Sequence, residues 1–358
     1  MVALFPHEEL IRWFKRYQRD LPWRGIFTSP YAVWISEVML QQTQVKVVIP
    51  YFERWMKEFP TLKSLAMADE KQVIKLWEGL GYYSRARNLH RGARYVLDNF
   101  GEELPDNEQQ LKQIKGIGPY TVGAILSFAF KQKAAAVDGN VLRVLARYYN
   151  IHEDISSTLT INRLRKIAYD ILPEKETWVF NEALIELGAL VCKKKPECSQ
   201  CPLQHSCEAR KTGSEALLPV KRKAKKTEKL FRAVAIIENP QQILLKKGEK
   251  GKVMEGLYEF PYLECTRPQP SKETLYTYLK QLGIDSFQYY MPLKPVFHTF
   301  TSFHATLYPH RFKLDKKEDI LGHEWVDKKI LLDYPFSSGH KRILIQLREF
   351  FDGKSPTH

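Results

Sequence analysis

No stretch of this 358-residue sequence is able to cross a bilayer: the longest uncharged apolar run, Gly116 to Phe130, is shorter than the ~18 residues a spanning helix needs. The opening segment, MVALFPHEELIRWFKRY, lacks a basic start, an uninterrupted apolar core and a small-residue cleavage site, so no secretory leader is expected. A cytoplasmic protein follows as an expectation, and there disulfides are rare. Cysteine is scarce: four of the five fall between Cys192 and Cys207, and Cys265 stands alone. Acidic residues are in deficit, 41 Asp+Glu against 55 Lys+Arg, which leaves a net charge of +14. That balance suits a polyanionic partner, nucleic acid or an anionic membrane, or serves solubility alone. With 44% hydrophobic and 27% charged residues, wholesale disorder is excluded. The sequence has no internal repeat, and its length exceeds one ordinary compact domain.

Strand patterns are nearly missing before residue 212. Apolar residues there recur at helical spacing, as in Leu10, Ile11, Trp13, Phe14 and Tyr17. Ser29-Pro30, Phe59-Pro60 and Gly118-Pro119 place proline where a first helical turn tolerates it. From Leu218 the basic run PVKRKAKKTEK has no hydrophobic face and reads as a linker, an exposed arm, or both. Beyond it, FRAVAIIE, QQILLKK, GLYEFPYLE and VFHTFTSFHATLYPHRF read as strands, and KETLYTYLKQLG and residues 339–351 as helices. The predicted fold is multi-domain. A helical region spans 1–217, a basic linker 218–229, and an α+β domain 230–358.

Three features carry chemistry. Cys192, Cys198, Cys201 and Cys207 form C-x5-C-x2-C-x5-C, four soft ligands in one short loop. The uneven gaps suit a 4Fe-4S iron–sulfur cluster better than zinc, although zinc stays open. The segment LKQIKGIGPYTVGAIL, within a predicted helix-hairpin-helix at about 111–130, has Gly116 and Gly118 in a tight turn ahead of Pro119. Backbone N–H groups exposed there would bind a DNA phosphate; the alternative is an ordinary helix connection. Finally, Glu37 lies in the apolar segment WISEVMLQQTQV and Asp138 stands directly before a helix in AAAVDGNVLRVLARY. A buried carboxyl has a raised pKa and can act as a general acid, while an aspartate at a helix N-terminus stays ionised. Together they suit cleavage of a glycosidic bond through a cationic sugar. A structural ion pair for Glu37 and a plain N-cap for Asp138 are the alternatives.

SEVMLQQTQV, EGLGYYSRARNL, KGIGPYTVGAIL, VDGNVLRV, NEALIELGALVC and the four cysteines, in this order, resemble the adenine DNA glycosylases of MutY type, in the helix-hairpin-helix, iron–sulfur glycosylase superfamily. The resemblance covers roughly residues 5 to 220 densely. It implies a monomeric DNA repair enzyme. Its substrate would be double-stranded DNA, and it would remove adenine mispaired with 8-oxoguanine or guanine. Glu37 then matches the general acid, Asp138 the carboxylate that stabilises the sugar cation, Tyr120 the hairpin tyrosine beside them, and Asn140 a neighbouring site residue. Trp23, Arg24 and Glu182 match residues lining the adenine pocket, and Gln42 and Tyr82 residues that wedge into the duplex. Strand-cutting members of endonuclease III type carry lysine where this chain has Tyr120, so hydrolysis without β-elimination is expected.

The C-terminal domain resembles, more weakly, the Nudix-like domain of the same family. The acidic helix that would bind magnesium is missing, so pyrophosphohydrolase activity is not expected. The family reads 8-oxoguanine with a loop ending in Ser-His or Thr-His. This chain has Thr301 and Ser302, so weaker recognition is expected unless His298 or His304 substitutes. The first cysteine gap holds five residues where the family has six. Two other functions stay open on the residues alone: a bifunctional endonuclease III-like glycosylase and lyase, and a non-catalytic DNA-binding protein.

Overall fold

The computed structural model describes residues 5–24, 29–222, 227–300, 302–315 and 317–351. The chain divides into two compact units, Met1–Ala68 with Arg87–Lys223, and Asp69–Ala86 with Ala224–His358. The second unit thus takes in a piece of chain that the linear reading assigned wholly to the helical region.

The first unit is helical throughout its described residues. Its helix Pro30–Leu40 starts at Ser29, whose Oγ accepts the Ala32 N–H at 3.1 Å. Every residue from Tyr31 to Met39 is buried, so this helix is apolar all round and runs through the interior. Glu37 is thereby carried inside. Helix Gly139–Tyr148 is capped by Asp138, and helix Thr177–Leu190 packs beside it with Phe180, Ala183, Leu184 and Leu187 in a shared core. Burial of each such side chain is worth roughly 1.5–3 kcal/mol, so the two helices are held as a block. The hairpin consists of a short helix Glu108–Leu111, a turn, and helix Pro119–Ala124. A wide π turn, Ile125–Ala129, continues it.

The second unit is built on one mixed sheet: β1 (Glu228–Glu238), β2 (Gln242–Lys247), β3 (Tyr258–Glu259), β4 (Tyr262–Cys265), β5 (Gln288–Pro292), β6 (Val296–Phe300), β7 (Phe303–Lys313) and β8 (His323–Asp327). β1 runs parallel to β7 along its whole length, from Glu228 opposite Phe303 to Glu238 opposite Lys313. The sheet is covered on both faces, so β1 reads as a continuous apolar run. Val234 and Ile236 face helix Ser338–Phe351, while Ala233, Ala235 and Ile237 face helix Lys272–Gln281.

The long aromatic segment expected as one strand is two, β6 and β7, hairpinned with Phe300 opposite Phe303. GLYEFPYLE is also split, into β3 and β4, because Pro261 lacks the N–H that a continuous ladder would use. β5 and β8 were not predicted. In β5 no residue is fully buried; Tyr289 and Met291 form a short, half-buried inner face that gives little signal.

Candidate functional site

Glu37 and Asp138 open into one cavity of about 930 Å³ in the first unit. Trp23, Arg24, Tyr120, Asn140 and Glu182 line the same cavity, as do Gln42, Gly116 and Gly118 at its rim. Sequence-distant residues therefore converge on one cavity.

Glu37 is 6% exposed and accepts a short hydrogen bond from the Tyr120 hydroxyl. Burial pushes its carboxyl up to about 7, reinforced by the charges of Asp138 and Glu182 and opposed by the Tyr120 hydroxyl and Arg24. Its hydrogen-bond partner is a neutral hydroxyl rather than a cation. Burial likewise raises the Tyr120 phenol well above its ordinary value, so it stays a neutral donor.

Asp138 behaves differently. Its Oδ1 accepts the Asn140 and Val141 N–H groups at 2.9 and 2.8 Å, and its Oδ2 accepts Asn140 Nδ2 at 2.7 Å. Burial raises its carboxyl, and these donors with the nearby Arg143 work against that rise. It is an N-cap by geometry, and it also lines the cavity.

Two residues of this site escaped the sequence reading. Glu186 is fully buried and accepts three hydrogen bonds from Arg19, Oε1 from the backbone N–H at 3.0 Å and Nε at 2.7 Å, and Oε2 from Nη2 at 2.9 Å. Arg24 reaches the same carboxylate at 3.2 Å and Glu182 at 3.0 Å. Burial would raise Glu186, but the hydrogen bonds and charges of Arg19 and Arg24 outweigh it and hold the carboxyl below its usual range. Glu182 and Glu186 lie four residues apart on one helix face, a spacing that could have flagged the pair.

The hairpin turn exposes Lys115, Gly116, Gly118 and Pro119. Gly116 sits at φ +91°, a conformation that L side chains rarely adopt. Gly118 is extended at φ −93° and leads into the helix at Pro119, so its lack of a side chain serves access rather than conformation.

The cysteines occupy a different place in the first unit. All four line a hollow of about 30 Å³, and none is in a disulfide. The five-residue gap thus still brings Cys192 and Cys198 to the same space. Among the described residues, no group of three or more His, Cys, Asp or Glu is arranged to hold a metal ion. Four thiols are the donor chemistry that an iron–sulfur cluster takes. Arg147 serves the loop directly, donating to Cys192 Sγ at 3.2 Å and to the carbonyls of Cys192, Lys193 and Lys194. One helical turn earlier, Arg143 joins Asn140 Oδ1 at 2.8 Å to the Cys192 carbonyl at 2.7 Å. Arg147 is buried and Arg143 half-buried; Arg210 donates to the Cys198 carbonyl, and Lys193 pairs with Glu197.

Tyr82 and Ser302 belong to the second unit, and both are exposed. Tyr82 lies at φ +49° and Gln42 at φ +57°, positions where non-glycine residues store strain. The Ser302 carbonyl accepts the Glu228 N–H at 2.9 Å. Thr301 lies outside the described residues. No helix among the described residues is long and apolar enough to cross a membrane.

Known proteins place this arrangement. Residues 35–168 match the HhH-GPD superfamily of base excision DNA repair proteins, and residues 233–346 match the NUDIX domain. In solved structures, the chain is similar to a thermostable thymine-DNA glycosylase, with a TM-score of 0.53, 26% identity, and 57% of this chain and 94% of that one covered. It is also similar to endonuclease III trapped as a covalent intermediate with DNA, with a TM-score of 0.50, 25% identity and the same coverage. The adenine DNA glycosylase of Buchnera aphidicola from Schizaphis graminum is 31% identical over 345 residues, 94% of this chain and 96% of that protein. The chain belongs to the adenine DNA glycosylase family. The mouse adenine DNA glycosylase is 47% identical over 209 residues, 56% of this chain. The chain spans about two fifths of the length of its mammalian relatives, 41% of the mouse and 38% of the human protein.

Proposed function

We propose that this chain removes adenine mispaired with 8-oxoguanine or guanine in double-stranded DNA, hydrolysing the N-glycosidic bond and leaving the strand intact. One observation carries the proposal: Glu37, with a carboxyl at about 7, faces the same cavity as Asp138, whose oxygens are held by the N–H groups of a helix N-terminus. This is one neutral acid and one fixed anion, the pair that a cationic sugar transition state needs. A cavity of about 930 Å³ is large enough for a base turned out of the stack.

In this mechanism Trp23, Arg24 and Glu182 hold the adenine. Glu37 gives its proton to the base as the C1′–N bond breaks and the bonding electrons leave with adenine. The sugar cation is stabilised by the Asp138 carboxylate. Water adds at C1′ and returns a proton to Glu37. Tyr120 donates its hydroxyl to the Glu37 carboxyl and so orients it, and it has no amine with which to form a Schiff base. Backbone N–H groups of the exposed turn at Gly116 and Gly118 would hold a phosphate. Gln42 and Tyr82 would fill the gap in the duplex, and the loop with Thr301 and Ser302 would read the opposite base.

Cys192, Cys198, Cys201 and Cys207 would hold a 4Fe-4S cluster. Bound there, it would crosslink the loop and serve as structure. Arg143 would then relay the position of the loop to Asn140, and so to Asp138.

An end-labelled duplex with one adenine opposite 8-oxoguanine tests the proposal. Cleavage at adenine only after hot alkali is expected. Strand scission without alkali, trapped on the protein by borohydride, would establish the lyase instead.

A further inference from the structure

We infer that Glu78 is a latch that makes the loop Gly79–Tyr83 move with the C-terminal sheet, so that reading of the opposite base sets the position of Tyr82. The inference rests on the proposed glycosylase function, in which Tyr82 enters the duplex and the C-terminal unit meets the base opposite adenine.

Glu78 follows the helix Glu70–Leu76 of the second unit. Its carboxylate binds three groups of that unit. Oε1 accepts the Phe336 N–H at 2.9 Å, and Oε2 accepts Lys341 Nζ at 2.8 Å and Lys75 Nζ at 3.0 Å. Lys75 also donates to the Tyr334 carbonyl at 3.1 Å, and the Lys71 ammonium sits 3.6 Å from the Tyr334 ring centroid. Three positions of one segment thus grip the stretch from Tyr334 to Lys341. The Glu78 side chain is only 12% exposed, so water and salt screen these contacts less than they would at an open surface.

The loop beyond Glu78 has little slack. Gly79 N–H donates to the Tyr83 hydroxyl at 3.2 Å, and Trp77 Nε1 donates to the Gly81 carbonyl at 3.1 Å. Arg85 Nη2 donates to the carbonyls of Leu80 and Gly81 at 3.2 and 3.1 Å. Arg85 also lies 5.6 Å from the Tyr82 ring centroid. A loop tied this closely shifts as one body, so a displacement at Glu78 reaches the exposed Tyr82. The glutamate that precedes the glycines in EGLGYY is therefore a positioning residue. It touches no reacting atom, and it connects two parts of the chain that lie some 260 residues apart, as the Phe336 bond shows with a separation of 258.

The test compares wild type, Glu78→Gln, Lys341→Met and the double variant. Single-turnover excision is measured with adenine opposite 8-oxoguanine and opposite guanine. The ratio of the two rates is expected to fall roughly fivefold in each single variant, the scale of one partly buried charge contact, and no further in the double. An unchanged ratio, or an equal loss on both duplexes, overturns the latch. Hydrogen exchange on the free protein supplies a second readout. In Glu78→Gln the amides of residues 79–83 and 334–341 should gain exchange together; a gain confined to either stretch overturns the latch. A wild type that releases adenine from neither duplex would overturn the glycosylase proposal, and the exchange measurement would then judge the latch by itself.

Discussion

A Cβ built on Gly188 would lie 2.5 Å from the Cβ of Asn140. Helix Thr177–Leu190 therefore meets the start of helix Gly139–Tyr148 at a distance only glycine permits. Asn140 donates to Asp138 through both its backbone and its side chain, so this contact sets the carboxylate that faces the cavity.

Gly188→Ala should push Asn140 away and disturb Asp138 without touching the DNA-facing turn. Single-turnover excision should fall by about tenfold or more, because small misplacements at a reacting centre are costly, while the Kd for duplex stays near wild type. A wild-type rate in this variant would mean that Asn140 does not position Asp138.

Glu37→Gln should abolish excision and stabilise the fold at alkaline pH. The sign follows from the raised pKa. A carboxyl moved from 4.5 to about 7 binds its proton more tightly in the folded state, so its contribution is fully favourable below pH ~4.5 and is lost as pH rises through 7. The folded protein then carries a penalty of roughly 3 kcal/mol for ionising Glu37. Glutamine is free of that penalty. Tm measured from pH 4.5 to 8 should fall less in the variant than in wild type, with the difference opening between 4.5 and about 7; parallel curves would contradict it.

Removing the Glu186 carboxylate leaves two arginines without their shared partner. Glu186→Gln should cost about 2 kcal/mol in urea unfolding, less than a wholly buried pair because the Arg19 side chain is 32% exposed. The same change should raise KM for the mispaired duplex more than it lowers kcat, since Arg19 and Arg24 line the cavity without reaching Glu37 or Asp138 through a hydrogen bond. A pure kcat loss would assign Glu186 a different part.

The four thiols should bring iron and inorganic sulfide with the purified protein in equal amounts, and Cys198→Ser should lose both. Zinc in place of iron would contradict the cluster. If Arg143 relays loop position, loss of the cluster should slow excision as well as weaken DNA binding.

What was legible in the sequence follows from locality. Glu37 betrayed itself by standing alone in an apolar helix, and Asp138 by standing before one. The turn at Gly116 and the close-set cysteines are likewise local patterns. Arg19 and Glu186 are 167 residues apart, and nothing in either segment names the other. Arg147 gave no signal, because its function is defined by carbonyls of a loop 45 to 47 residues on. Residues 69–86 joined the C-terminal unit through contacts that only the folded chain creates. The edge strand β5 escaped because it is five residues long and only half-buried on its inner face, at Tyr289 and Met291, too little alternation to stand out.

The pH dependence of excision tests the central claim most directly. Single-turnover rates at saturating enzyme, from pH 5.5 to 9 on adenine opposite 8-oxoguanine, would report the state of Glu37. The rate should decline about tenfold per pH unit above about 7, as the proton on Glu37 is lost. A rate that stays flat or rises from pH 7 to 9 would contradict a protonated Glu37 as the acid.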